Sequence, residues 1–230
     1  MTFNKPLLHG ILLRRFNRFL AAIRLDDGDE VFAHCPNSGS MKGVNVPGAE
    51  VLATYVPDPR RKLKYTWEMI KLDGDWVGIN TMVPNRIAAE AFTQGLIPEF
   101  RVYKSFRSEV VIAEGTRIDF ILEGPVPCMV EVKNVTLVED GLALFPDSVT
   151  ERGTKHLNHL IENCERGGRS AMLYIIQHHL AKTFSPADGI DPVYGHTLRD
   201  AFTAGVHLEA WKARVTPQEI HLTESIPIEL

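Results

Sequence analysis

Cysteine is scarce. Cys35, Cys128 and Cys164 are the three cysteines in 230 residues, far apart and without a Cys-x-x-Cys pair. That excludes a disulfide framework and a thiolate zinc site, and it fits free thiols in a reducing cytoplasm. Long apolar runs are missing too. No stretch of eighteen apolar residues occurs, and Arg14, Arg15 and Arg18 break the first twenty, so neither a membrane helix nor a signal peptide is expected. There is no excess of positive charge: 25 Lys and Arg face 29 Asp and Glu, a net charge of −4. Coating nucleic acid by bulk charge is therefore not expected, although a local basic patch is still open. Aromatics make up only 8%, and Trp67, Trp76 and Trp211 are too scattered to form a sugar-binding platform.

What remains is an ordinary globular composition, 44% apolar and 23% charged. A chain this long buries roughly 70% of its unfolded surface and needs no cross-links to hold a core. The charge divides unevenly. Residues 1–84 carry 11 Lys and Arg against 9 acids, and residues 85–230 carry 14 against 20. The first part reads as β, with strands over Ile11–Leu25, Val31–His34, Glu50–Val56, Thr66–Leu72 and Trp76–Asn80. Turn signals such as Asp73-Gly74-Asp75 separate them. Five short strands in about 80 residues suit a small barrel or sandwich. The second part alternates. A helix is expected over Asn85–Gln94, capped by Asn85 and ended by Gly95, followed by strands near 109–113, 117–122 and 129–135. A longer helix over Thr150–Arg166 turns Leu157, Leu160, Ile161 and Cys164 inward. Ala171–Ile176 is apolar on both faces and reads as a buried central strand. A helix near Tyr194–Ala204 and a strand near His207–Val215 complete a mixed α/β sheet, so residues 1–84 and 85–230 are expected to be separate domains.

The chemistry concentrates in Arg117-Ile118-Asp119-Phe120-Ile121-Leu122 and Val130-Glu131-Val132-Lys133. Both segments alternate, which puts Ile118, Phe120 and Leu122 on one face and Asp119 on the other. A hairpin symmetric about Pro125 sets Asp119 opposite Glu131 and Arg117 opposite Lys133. Like charges directly opposed, about 5 Å apart, destabilise a sheet. A hard divalent cation such as Mg²⁺ removes that penalty, and Lys133 would then assist an attacking water or a displaced phosphoryl group. A salt-bridged hairpin, neutralised by Arg117 and Lys133, fits the spacing equally well. Glu90 on the first helix is a candidate third ligand and Glu109 a weaker one. His178-His179 is a faint metal signal, since neighbours along a strand face opposite ways.

Asp119 followed by Glu131-Val132-Lys133, preceded by a helix bearing an acid, resembles the core of the PD-(D/E)xK nucleases, with Ile118 in place of the name-giving proline. A broader resemblance runs along nearly the whole chain. His34-Cys35-Pro36-Asn37-Ser38-Gly39, Arg117-Ile118-Asp119-Phe120, Glu131-Val132-Lys133-Asn134-Val135-Thr136-Leu137 and Phe145-Pro146-Asp147 through Lys155-His156-Leu157 resemble the sugar fermentation stimulation protein A family. That resemblance implies an OB-like barrel, a PD-(D/E)xK nuclease-like α/β domain, DNA binding without sequence preference (with RNA as the alternative), and a link to the regulation of sugar (maltose) metabolism. It is the PD-(D/E)xK resemblance that implies catalysis, with Asp119 and Glu131 holding Mg²⁺ or Mn²⁺ and Lys133 assisting; Glu90 is a candidate third acid or a solvated helix residue.

Basic clusters mark where a polynucleotide would lie. Arg14, Arg15, Arg18 and Arg24 fall in the first strand, with no acid between Gly10 and Leu25. Arg60, Arg61, Lys62 and Lys64 precede Tyr65 and Trp67, which suits backbone contacts plus base stacking on a small barrel. Arg152, Lys155, His156 and His159 are expected on the rim of the long helix, and Gly153 near its start allows a phosphate to approach. Solvated charges on an edge strand, a loop tip and a helix surface would give the same pattern.

Overall fold

The computed structural model describes all 230 residues. β1 (Leu8–Phe16) and β2 (Leu20–Leu25) form a hairpin, so the single strand expected over Ile11–Leu25 is two. The chain reverses at Asn17 and Arg18, both in the left-handed region with φ of 51° and 58°. Arg18 therefore sits in a turn, not in a strand. β3 (Glu30–His34), β4 (Glu50–Tyr55), β5 (Tyr65–Leu72) and β6 (Asp75–Gly78) extend the sheet in the order β3-β2-β1-β4-β5-β6. Parallel pairing of Ala33 with Tyr65 and His34 with Thr66 joins β3 to β5 and closes five strands into an OB barrel. Leu12, Ile23, Ala33, Val51 and Trp67 fill it.

The second part opens with α1 (Val83–Gln94). It starts before the expected Asn85, because Pro84 suits the first turn, where a missing N–H costs nothing. Asn85 is thereby freed from capping. Gly95, at φ 64°, ends the helix as expected. Then come β7 (Ser105–Ala113), β8 (Thr116–Glu123), β9 (Cys128–Val135), β10 (Leu137–Glu139), β11 (Leu142–Phe145) and α2 (Glu151–Glu165). β12 (Arg169–Ile176), β13 (Thr183–Pro186), α3 (Pro192–Thr203), β14 (His207–Val215) and β15 (Ile220–Ser225) complete the chain. The main sheet runs β15-β14-β12-β9-β8-β7. Strands β14, β12 and β9 run parallel to one another, and the remaining pairings are antiparallel. β12 is buried along all but its first residue, as its apolar run implied. Strands β10, β11, β13 and β15 were not anticipated; β10, β11 and β13 pair with one another in a small separate sheet.

Two cores flank the main sheet. On one face Ile87, Ala88 and Ala91 of α1 pack with Phe120, Val130, Val132 and with Leu52 and Met69 of the barrel. On the other, Leu157 and Leu160 of α2 and Leu198 of α3 pack with Ile118, Met172 and Tyr174. Ile118 and Phe120 thus lie in different cores, contrary to strict alternation. The β7–β8 ladder pairs Ser108 with Phe120 and Val110 with Ile118, and between them Glu109 takes a φ of 53°. That irregularity opposite Asp119 turns the strand over. No helix is long and apolar enough to cross a membrane.

Candidate active site

β8 and β9 pair Phe120 with Val130, Ile121 with Met129 and Leu122 with Cys128, the register expected from the turn. The ladder stops one step short of Asp119 and Glu131. There the Asp119 carboxylate takes over, its Oδ2 accepting from the Val132 N–H at 2.8 Å and its Oδ1 from Asn85 Nδ2 at 2.9 Å. A carboxylate thus replaces a ladder carbonyl, and α1 reaches it through its first turn.

Glu131 is only 2% exposed. Its Oε1 accepts from Lys133 Nζ at 2.5 Å and meets His156 Nδ1 on α2, while its Oε2 is buried with no partner. Burial pushes its carboxyl up, yet Lys133 and His156 outweigh burial and hold it below the ordinary glutamate value. Asp119 behaves oppositely. Burial first, then the charge of Glu131, raises it, and Lys133, Val132 and Asn85 do not fully offset them. The two acids therefore feel each other inside one low-dielectric site. A buried carboxylate oxygen without a hydrogen bond is costly. Glu131 Oε2 and the unused lone pairs of Asp119 are the donor chemistry a hard cation takes. No group of three His, Cys, Asp or Glu converges anywhere in the chain.

Glu90 does not join the pair. It is one residue beyond Ala89, which lines the site, and so turns away to meet the Met1 ammonium group. Glu109 is exposed at the rim. His156, expected on the helix rim, is 5% exposed beneath Glu131. The apolar stripe itself carried that signal, since His156 lies four residues before Leu160. Arg152 and Lys155 are exposed beside it. Arg15 is not a free cation either: its guanidinium donates to the carbonyls of Arg18, Asn37 and Gly39, each at 2.9 Å. Arg14 and Arg18 are exposed. Arg60 is paired with Asp58, Arg61 donates to Thr66 at 2.9 Å, and Lys62 and Lys64 are exposed. Trp67 cannot stack on a base, because it is fully buried with its indole N–H on the Met69 carbonyl. His178 and His179 lie beyond the end of β12 with rings stacked 5.2 Å apart, not on opposite faces.

The acid pair opens into a cleft of about 840 Å³ between barrel and sheet. Its lining sets Arg18, Arg86, Lys133 and Arg152 against the acids Glu109, Asp119, Glu131 and Asp147, and Phe106 and Phe145 give it aromatic surface. Two loops close one side. Ser40 Oγ donates to the Asp147 carbonyl at 2.6 Å, and the Met41 N–H to Asp147 Oδ2 at 2.8 Å. Gly39 is needed there, since a Cβ would come within 2.6 Å of Asp147 Oδ1. Sequence reasoning missed Asn85, Arg86 and Asp147. Only the string Phe145-Pro146-Asp147 hinted at the last, with no sign of its partner.

Two family models match successive parts of the chain. Residues 82–219 match the model described as the sugar fermentation stimulation protein RE domain, and residues 13–79 the SfsA N-terminal OB domain. The chain belongs to the sugar fermentation stimulation protein family. Similar members of the family, each described as a sugar fermentation stimulation protein homolog, come from Geobacter metallireducens and Geobacter sulfurreducens. The first is 53% identical over 100% of both chains. The second is 52% identical over 99% of this chain and 98% of its own. Among solved structures, SfsA of Pyrococcus furiosus, described as in complex with Ca²⁺, superposes with a TM-score of 0.91 at 25% identity. That match covers 100% of this chain and 98% of the other.

Proposed function

We propose that the protein is a cytoplasmic, largely sequence-nonspecific DNA-binding protein whose second domain, of the PD-(D/E)xK nuclease type, hydrolyses phosphodiesters with Mg²⁺ or Mn²⁺. The single observation that carries this reading is the buried, unpartnered Oε2 of Glu131, set beside the raised carboxyl of Asp119 in a cleft that Arg18, Arg86, Lys133 and Arg152 also line. That the Pyrococcus furiosus relative is described as in complex with Ca²⁺ supports binding of a divalent cation by this fold.

Asp119 and Glu131 would hold the cation. When bound, it supplies Lewis-acid polarisation of a phosphoryl oxygen and a more acidic water. The chain's own groups do the rest. Asn85 and the Val132 N–H fix the orientation of Asp119, and His156 fixes that of Glu131. Lys133 uses one N–H on Glu131 and keeps two with which to hold an attacking water or a phosphoryl oxygen. Glu90 has no part in this scheme.

The test is cleavage of end-labelled DNA and RNA by highly purified protein in Mg²⁺ and in Mn²⁺. Cutting is expected, and Asp119→Ala abolishes it while DNA binding survives. Wild-type protein that cuts neither polymer in either metal overturns the catalytic reading. One observation favours the alternative, a non-catalytic DNA-binding regulator of sugar metabolism: only two acids meet at the site. That reading expects Asp119→Ala to leave DNA binding unchanged and no metal-dependent cutting to be lost.

A further inference from the structure

The barrel carries an aromatic cluster outside the cleft, Phe32 and Phe19 exposed and Phe16 half-buried. β1 is bulged between Leu12 and Arg14. The extra residue reverses the facing of the rest of the strand, so Leu12 points into the barrel while Arg14 and Phe16 point out. Across the three strands, Arg14, Ala22 and Phe32 form one row, and Phe16, Leu20 and His34 form the next. These rows are two residues, about 7 Å, apart along the strands. The Phe16 and Phe32 rings meet edge to face at 5.8 Å, and the Arg14 guanidinium lies 5.2 Å from the centre of the Phe16 ring. Phe32 is 57% exposed, and Phe19, in the adjoining turn, is 53% exposed.

Arg14 is the one Lys, Arg, Asp or Glu in these two rows. No acid occurs from Gly10 to Leu25, and Glu30, in the row beyond Phe32, is paired with Arg24 at 3.2 Å. At the other end of the rows stands the β1–β2 turn, whose Arg18 lines the cleft. Exposed Phe32 and Phe19 about a half-buried Phe16, flanked by Arg14 and Arg18 and leading to the cleft, are the arrangement that binds unpaired bases. Every base offers a π-face, and the guanidinium groups meet the phosphates. A duplex hides those faces inside its own stack.

We propose that the outward face of β1–β3 is a stacking track that holds single-stranded nucleic acid and leads it past Arg18 into the cleft. This rests on the proposed nucleic-acid function and adds to it the strandedness of the substrate. The test is fluorescence anisotropy in EDTA with a labelled oligothymidylate and with a duplex of matched length. Wild-type protein binds the single strand at least about tenfold more tightly than the duplex. Phe32→Leu weakens single-strand binding about 5- to 100-fold, the loss expected of one base–aromatic stack. It leaves duplex binding and the melting temperature unchanged, and Phe32→Trp keeps wild-type affinity.

If Phe32→Leu binds the single strand like wild type, or the duplex binds as tightly, the track is wrong while nucleic-acid binding stands. If wild-type protein binds neither polymer, the proposed function falls and the track with it. A dimer in solution that Phe32→Ala dissolves assigns the patch to a second copy and overturns the track.

Discussion

Asp119 and Glu131 are both buried acids, and they shift in opposite directions because of their neighbours. Glu131 faces Lys133 and His156 and stays ionised, whereas Asp119 has amide donors and a negative neighbour. The consequence for stability has a definite sign. Because the folded value of Asp119 is raised, its ionisation costs more in the folded chain than in the unfolded one. That penalty is fully present above the raised value and absent at low pH. Asp119→Asn in a chelator at neutral pH is therefore expected to melt no lower than wild type, and about 2–4 °C higher for each kcal/mol of repulsion removed. The gain shrinks as pH falls through the raised value and is gone below about 4, where aspartate is protonated in both states. Glu131 works the other way: its lowered value adds stability at neutral pH that is lost as pH falls through that value. Added Mg²⁺ should raise the melting temperature of wild type and not of Asp119→Asn. Scanning calorimetry over a pH series checks both, and a variant that melts several degrees lower at neutral pH would remove the repulsion argument.

At the scale of elements, the loop of residues 36–41 shows how a charge can be mistaken for a binding group. Arg15 lies in a basic stretch, yet it satisfies backbone carbonyls of a loop twenty residues away, and Asp147 satisfies the same loop from the second domain. Buried or half-buried carbonyls need such partners. Arg15→Ala should therefore speed amide exchange at Met41 and its neighbours and lower stability, while Arg14→Ala leaves both unchanged. Equal exchange in the two variants would mean that Arg15 holds nothing. The same logic separates what was legible in the sequence from what was not. The β8–β9 register was legible, because the residues flanking Pro125 fix both the turn and the pairing. The stretch Ala171–Ile176 was legible as a central strand because only a strand with neighbours on both sides needs apolar side chains on both faces. The partners of Arg15, Asn85 and Asp147 were not legible, since each lies on a different element and no local period encodes it. His156 was legible in its helical spacing, but it was misjudged because a polar residue type overrode the stripe.

The whole molecule sets net charge against local charge. The chain is acidic overall, at −4, yet its cleft sets Arg18, Arg86, Lys133 and Arg152 against four acids, two of them the buried pair Asp119 and Glu131, with the exposed Arg14 on the neighbouring barrel face. Binding to a polyanion is then governed by those few groups and resisted by the general field, so it should weaken steeply as salt rises. Each phosphate neutralised contributes about 0.7 to the log–log salt slope for a single strand and about 0.9 for B-form duplex. The position of each arginine in the fold predicts which substitutions change that slope. Arg86→Ala and Arg152→Ala, both lining the cleft, should each lower it by about one contact across all sequences tested. Arg60→Ala should not, because Arg60 already has Asp58 against it at 2.9 Å and brings little free charge to a phosphate. Affinity measured from 50 to 300 mM salt decides the matter. A slope that responds to Arg60 and ignores Arg86 and Arg152 would move the polynucleotide out of the cleft to the β4–β5 loop and leave the acid pair without a substrate.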